Sequence, residues 1–134
     1  MDGDKQYSIF IVDDDKFLLE MYAIKFSERG FKVETALSSV EAFGKIKDGF
    51  RADILLLDIV MPAMDGFALL SKIHEEKLAP EGSTIIYLSN LGQKDDIEKG
   101  LNLGADGYII KASSTPSEVV DKVMAIVKEK GIKN

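Results

Sequence analysis

The segment Asp53-Ile54-Leu55-Leu56-Leu57-Asp58 constrains the fold more than any other stretch. Side chains of a strand alternate between its two faces, so an unbroken apolar run needs cover on both. A sheet wetted on one side would alternate apolar with polar instead. The run therefore reads as a central strand of a parallel sheet with helices on both faces. It also ends on a carboxylate, a group that is costly to remove from water without a partner.

The rest of the chain supplies the neighbours such a strand requires. Short β-branched and aromatic runs recur at Tyr7 to Val12, in Phe31-Lys32-Val33-Glu34-Thr35-Ala36, at Ser83 to Ser89 and at Gly107 to Lys111. Helical stretches separate them. The first begins near Lys16 and stops at Gly30, the second runs to about Asp48, the third from Gly66 to about Lys77, and a short fourth contains Gly100. A last helix is expected to end at Gly131. Ser38 with Glu41, and Thr115 with Glu118 behind Pro116, have the spacing of capping boxes. Alternating strands and helices predict a single doubly wound α/β domain of the flavodoxin-like (βα)5 type, with strand order 2-1-3-4-5. Ligands of such sheets bind beyond the carboxyl ends of the strands, at the switch point between strands one and three.

Composition narrows the function classes. The 134 residues suit one domain, with a core spanning about residues 7–130. No cysteine is present, which excludes a disulfide scaffold and thiolate metal sites and suits the cytoplasm. The opening Met-Asp-Gly-Asp-Lys-Gln-Tyr-Ser is no signal peptide, and no apolar run reaches the ~20 residues of a membrane span. A net charge of −6 argues against direct contact with nucleic-acid phosphates.

The polar residues at the predicted strand ends are the informative ones. Strand one ends in Asp13-Asp14-Asp15, strand three in Asp58, strand four in Ser89-Asn90 and strand five in Lys111. Crowded carboxylates raise one another's pKa, and a divalent cation relieves the conflict. A few oxygen ligands suit Mg²⁺, which keeps several waters and often bridges to phosphate. A carboxylate flanked by a cation and a lysine is also a credible phosphoryl acceptor, because phosphoryl transfer needs mainly positioning and neutralised charge. In that reading Asp58 attacks and Asp13 and Asp14 hold the metal. Lys111 pairs with the phosphoryl group or the carboxylate, and the Ser89 hydroxyl bonds a phosphoryl oxygen.

Four blocks, Ile9 to Asp15, Leu55 to Phe67, Tyr87 to Asn90 and Gly104 to Ala112, closely resemble the signature blocks of response-regulator receiver domains, the CheY-like superfamily. The resemblance covers essentially the whole chain. It implies that Asp58 takes a phosphoryl group from a histidine kinase or histidine phosphotransfer protein. Asp14 and Asp58 would ligate Mg²⁺ directly, with the Val60 carbonyl, and Asp13 through water. Ser89 and Tyr108 would form a switch pair that changes the face of helix four, strand five and helix five for a downstream target or output domain. The chain would act as a monomer, with dimerisation open to the phosphorylated form. Two positions depart from the pattern: Lys111 is followed by Ala112 where proline is usual, and Ser89 by Asn90 where a small residue is usual. Proline there sits in a cis peptide, and a cis bond to alanine costs ~3 kcal/mol, which leaves the local geometry open.

Other features have plainer readings. Asp65 and the Asp95-Asp96 pair suit helix starts, and His74, the sole histidine, sits among charged helix residues. The first helix carries more apolar side chains than one packed stripe needs, which leaves a docking strip or a greasy surface as alternatives. Val60 and Leu91, two residues after Asp58 and Ser89, are apolar and cannot orient a hydrolytic water, so a long-lived acyl phosphate is expected. Val60 also stands where an aspartate-nucleophile phosphatase would carry its second acid, so a turnover enzyme is not expected. A flavin carrier would need a phosphate-binding loop in place of three aspartates. A pseudo-receiver that keeps the fold without taking phosphate remains the alternative. No output domain follows the last helix, so the chain is expected to be a single receiver domain over 1–134, either alone or as part of a longer protein.

Overall fold

The computed structural model describes residues 6–133. Part of the N-terminal segment read above for a signal peptide, residues 1–5, lies outside them. Five strands, β1 (Ser8–Val12), β2 (Lys32–Ala36), β3 (Ile54–Leu57), β4 (Thr84–Ser89) and β5 (Gly107–Ile110), form one sheet in the order β2-β1-β3-β4-β5. All pairings are parallel. The helices are α1 (Lys16–Glu28), α2 (Ser39–Lys47), α3 (Gly66–Glu75), α4 (Lys94–Asn102) and α5 (Pro116–Lys133). The expected flavodoxin-like (βα)5 order is the one the chain adopts.

The reading of β3 as doubly covered holds residue by residue. Ile54 and Leu56 join Ile9, Ile11, Leu19, Tyr22 and Val120 in a core beneath α1 and α5. Leu55 and Leu57 join Phe10, Val12, Ile46, Leu70 and Tyr87 in a second core beneath α2 and α3. The strand thus serves two hydrophobic layers, and no face is left for water.

Helix ends follow local chemistry. Asp15, Ser38 and Asp65 cap α1, α2 and α3 by accepting the N–H of Leu18, Glu41 and Ala68. Thr115 and Glu118 form the expected reciprocal box at α5. In the Ser38 box the Glu41 carboxylate reaches one residue further back, to the Leu37 N–H. α1 ends as foreseen: Gly30 has φ +90°, its N–H bonds the Ser27 carbonyl, and the Phe31 N–H bonds that of Phe26. Gly131 does not end α5, which continues to Lys133. A glycine stops a helix by turning left-handed, and Gly131 keeps an ordinary φ with open space around it.

Gly100 has a role beyond weakening its helix. A Cβ there would lie 2.9 Å from the Tyr87 ring, so the absent side chain lets α4 press directly onto β4. On α1, Leu19, Tyr22 and Phe26 are buried, while Phe17 and Ile24, two turns apart on one face, stay exposed.

Candidate functional site

The parallel sheet brings the expected residues to one edge. Asp13 follows β1, Asp58 follows β3, Ser89 ends β4, and Lys111 follows β5 at the start of a short 3₁₀ turn, Lys111–Ser113. The backbone registers them: the Asp13 N–H bonds the Ala36 carbonyl at 3.2 Å, and the Asp58 N–H bonds the Val12 carbonyl at 2.9 Å. The two aspartates are therefore held by the sheet itself rather than by a free loop.

Lys111 closes the group. Its Nζ lies 2.6 Å from Asp13 Oδ2 and 3.0 Å from Asp58 Oδ2, and all three side chains are at most 8% exposed. Asp13 Oδ1 accepts the Asp15 N–H at 2.9 Å, and Asp58 Oδ1 accepts the Ile59 N–H at 2.7 Å. Burial pushes the Asp13 carboxyl above its ordinary value, with Lys111 pulling back and Asp58 adding to the rise. Burial works to lower the Lys111 ammonium, but Asp13 and Asp58 outweigh it, and the net shift is upward. Asp14 differs from its neighbours in being exposed. One carboxylate oxygen from each of Asp13, Asp14 and Asp58 falls within 4.8 Å of the others. That set of hard oxygen donors fits a small divalent cation such as Mg²⁺.

The loop beyond Asp58 is tightly folded. A Cβ on Gly66 would meet the Asp58 carbonyl oxygen at 2.1 Å, and the Gly66 N–H bonds the Ile59 carbonyl at 2.8 Å. Ala63 has φ +67° at the centre of a turn closed by the Met64 N–H on the Pro62 carbonyl. Asp65 starts α3 as a cap and takes no part in the acid cluster. Val60 is 60% exposed, whereas Leu91 packs against the core under α2 and α3.

Ser89 and Tyr108, the expected switch pair, lie on the neighbouring strands β4 and β5. Ser89 is fully buried and its Oγ accepts the Leu91 N–H at 3.3 Å. The Tyr108 hydroxyl donates to the Leu91 carbonyl, and its ring packs on Tyr87 at 5.9 Å. Burial and, more weakly, Asp96 raise the Tyr108 phenol, while the Ser89 hydroxyl pulls it down. The Lys111–Ala112 peptide is trans, so the geometry left open by the missing proline is an ordinary one. The Asn90 amide does not reach toward Asp58 with its oxygen; that atom accepts the Ala112 N–H at 2.9 Å. Neither residue drew attention to the other in the sequence, where 22 positions separate them.

Comparison with known proteins identifies the family. Residues 9–124 match the family model of the response regulator receiver domain. The chain belongs to that family. The chemotaxis protein CheY of Halobacterium salinarum is 32% identical over 119 residues, which is 89% of this chain and 95% of that one. A CheY-like receiver domain protein from Methanospirillum hungatei JF-1 superposes with a TM-score of 0.82 at 29% identity, over 97% of this chain and 100% of that one. The CheX-CheY-BeF3-Mg complex from Borrelia burgdorferi matches at TM-score 0.79 and 32% identity, over 93% and 92%. The chain spans about half the length, 47% to 56%, of several transcriptional regulators it matches. It is a receiver domain of a two-component system. Among the described residues, no helix is long and apolar enough to cross a membrane.

Proposed function

We propose that this domain takes a phosphoryl group on Asp58 from a histidine kinase or histidine phosphotransfer protein, and that the modification switches a protein-binding face. One observation carries the reading: Asp58 is a buried carboxylate whose oxygens meet one ammonium and one backbone N–H, beside two further acids. A carboxylate oxygen of Asp58 would bond to phosphorus as the phosphorus–nitrogen bond of the donor breaks, and the imidazole nitrogen keeps the electron pair. Asp13, Asp14, Asp58 and the Val60 carbonyl would hold Mg²⁺, which supplies positive charge against the acids and the phosphoryl oxygens. Lys111 would remain paired with the modified side chain. The Ser89 hydroxyl would turn to a phosphoryl oxygen, and Tyr108 would follow it.

The reading extends to the whole chain as one receiver unit that works by contact with a downstream target or an output domain in the cytoplasm, without direct binding to nucleic acid. The complete set of acids, lysine and serine favours it over a pseudo-receiver. The Borrelia relative in complex with BeF3 and Mg supports beryllofluoride as a stand-in for the phosphoryl group here. Incubation with Mg²⁺ and a small acyl-phosphate donor should add one phosphoryl mass to the parent and none to Asp58→Asn. A gain that persists in Asp58→Asn would overturn the assignment.

A further inference from the structure

The two departures from the receiver pattern meet in space. β4 and β5 pair up to Ser89 opposite Ile110, and there the backbone ladder ends. The next contact is made by a side chain: Asn90 Oδ1 accepts the Ala112 N–H at 2.9 Å. It adds a rung beyond the last paired residues. The residues so joined directly follow Ser89 and Lys111, the two side chains expected to grip a phosphoryl group from opposite sides. A proline at 112 has no N–H to donate, so the rung requires that another residue, here alanine, stands there. An alanine at 90 would have no oxygen to accept it. Each departure is thus the partner of the other.

The same loop is fastened a second time, by the Tyr108 hydroxyl on the Leu91 carbonyl. On the other side, the turn after β5 is closed by the Ser114 N–H on the Lys111 carbonyl and the Ser113 hydroxyl on the Ile110 carbonyl. Neither of those bonds crosses between the loops. Among the described residues, the Asn90–Ala112 bond is the hydrogen bond that joins the loop of Ser89 directly to the loop of Lys111.

We propose that Asn90 is a positioning residue that acts through the Ala112 N–H to hold Lys111 and Ser89 at the spacing a phosphoryl group needs. The inference rests on the receiver chemistry proposed for Asp58. Both residues are exposed, so the bond does little for overall stability and its loss should show at the site. Asn90→Ala should slow phosphoryl uptake from a small acyl-phosphate donor, and weaken beryllofluoride binding with Mg²⁺, by roughly fivefold, the size of one hydrogen bond. Ala112→Pro should do the same, and the double variant should be no worse than either single one. Ala112→Gly keeps the donor and should match the parent. Amide exchange gives an independent readout: the Ala112 N–H should be protected in the parent and unprotected in Asn90→Ala. Independent, additive losses in the double variant would overturn the proposal, as would an Asn90→Ala protein that takes up phosphate at the parental rate. A parent that takes up none while Ala112 stays protected would instead refute the chemistry at Asp58, and the positioning role would fall with it.

Discussion

Replacing Lys111 by methionine tests the electrostatics of the site most directly. Methionine keeps much of the apolar stem, so the change removes charge more than packing. Among the described residues, Lys111 is the only cation paired with Asp13 or Asp58, and its side chain is 8% exposed. Breaking a buried ion pair from one side costs about 3–5 kcal/mol, because the remaining charge is left without compensation. Two carboxylates are stranded here, but one can relieve the conflict by taking a proton, so the low end, about 3 kcal/mol, is expected at pH 7. For a domain of 134 residues that is a fall of roughly 10 °C in the thermal midpoint.

The conditions separate charge from packing. The raised pKa of Lys111 means that its contribution is complete below its unfolded value of 10.5 and is lost as pH climbs through the raised value. Asp13 is also raised, so its ionised form becomes a burden as pH rises from 3.8 through its folded value. Without Lys111 that burden grows. The gap between parent and Lys111→Met should therefore be widest near neutrality and narrow in acid as Asp13, whose pKa lies above its ordinary value, takes up its proton. Mg²⁺ should narrow it too, since a cation held at a hundred times its Kd adds about 2.7 kcal/mol to the folded state. Thermal unfolding followed by circular dichroism, in EDTA and in Mg²⁺, reads all of this. Lys25→Met, which breaks an exposed pair with Glu28, is the control and should leave the midpoint unchanged. A Lys111→Met protein that melts with the parent in EDTA at neutral pH would refute the reasoning. A deficit that neither acid nor Mg²⁺ narrows would mean that packing, not charge, was lost.

Asp14→Ala should keep the fold, because Asp14 is exposed, yet weaken Mg²⁺ binding at least about tenfold by calorimetry; unchanged affinity would remove Asp14 from the ligand set. Gly100→Ala should destabilise by about 1–3 kcal/mol in urea unfolding despite a helix-propensity gain near 1, since the Cβ would sit 2.9 Å from a fully buried Tyr87 ring. A more stable variant would show that α4 does not press there. Val60→Asn should shorten the life of the acyl phosphate, because Val60 is exposed two residues after Asp58 and an amide there can orient water. An unchanged decay would place control of water elsewhere. Leu91, the other apolar position expected to screen the phosphorus, is half-buried and packs against the core under α2 and α3.

Elements set by local chemistry were legible without coordinates. β3 was readable because an unbroken apolar run has one physical explanation, and α5 begins where Thr115, Pro116 and Glu118 announce a cap. The acid cluster was readable because a parallel sheet gathers its strand ends on one edge, so fold and position together brought Asp13, Asp58 and Lys111 into contact. What depends on distant approach was not. Gly100 looked like a weak point in a short helix, and its contact with Tyr87 appears only when α4 lies on the sheet. Gly66 looked like a turn residue, and the close approach of the Asp58 carbonyl, which leaves no room there for a Cβ, was invisible. Asn90 and Ala112 looked like two separate faults, because nothing in a sequence says that a side-chain oxygen and a backbone N–H 22 residues apart will meet.

The burial of these acids also explains how charge is divided among them. Asp13 and Asp58 are out of water, and Lys111 pairs with both, whereas Asp14 is exposed and keeps its hydration. With its acids ionised, the cluster holds three carboxylates against one ammonium, an excess of two negative charges. That excess matches a divalent cation, and its least desolvated member is the one a cation can reach first. A phosphoryl group on Asp58, as proposed, would exchange a carboxylate charge for a larger and more extended one and would attract the hydrogen-bond donors at this edge. Ser89 lies buried, with its hydroxyl accepting the Leu91 N–H at 3.3 Å and interacting with the Tyr108 phenol, long contacts with which a charged phosphoryl oxygen would compete. The Leu91 carbonyl in turn accepts the Tyr108 hydroxyl, so a turn of Ser89 would be felt at β5 through a single residue. A carboxylate at the end of the most hydrophobic strand is therefore placed where a change in its charge would bear on the bonds of its neighbours.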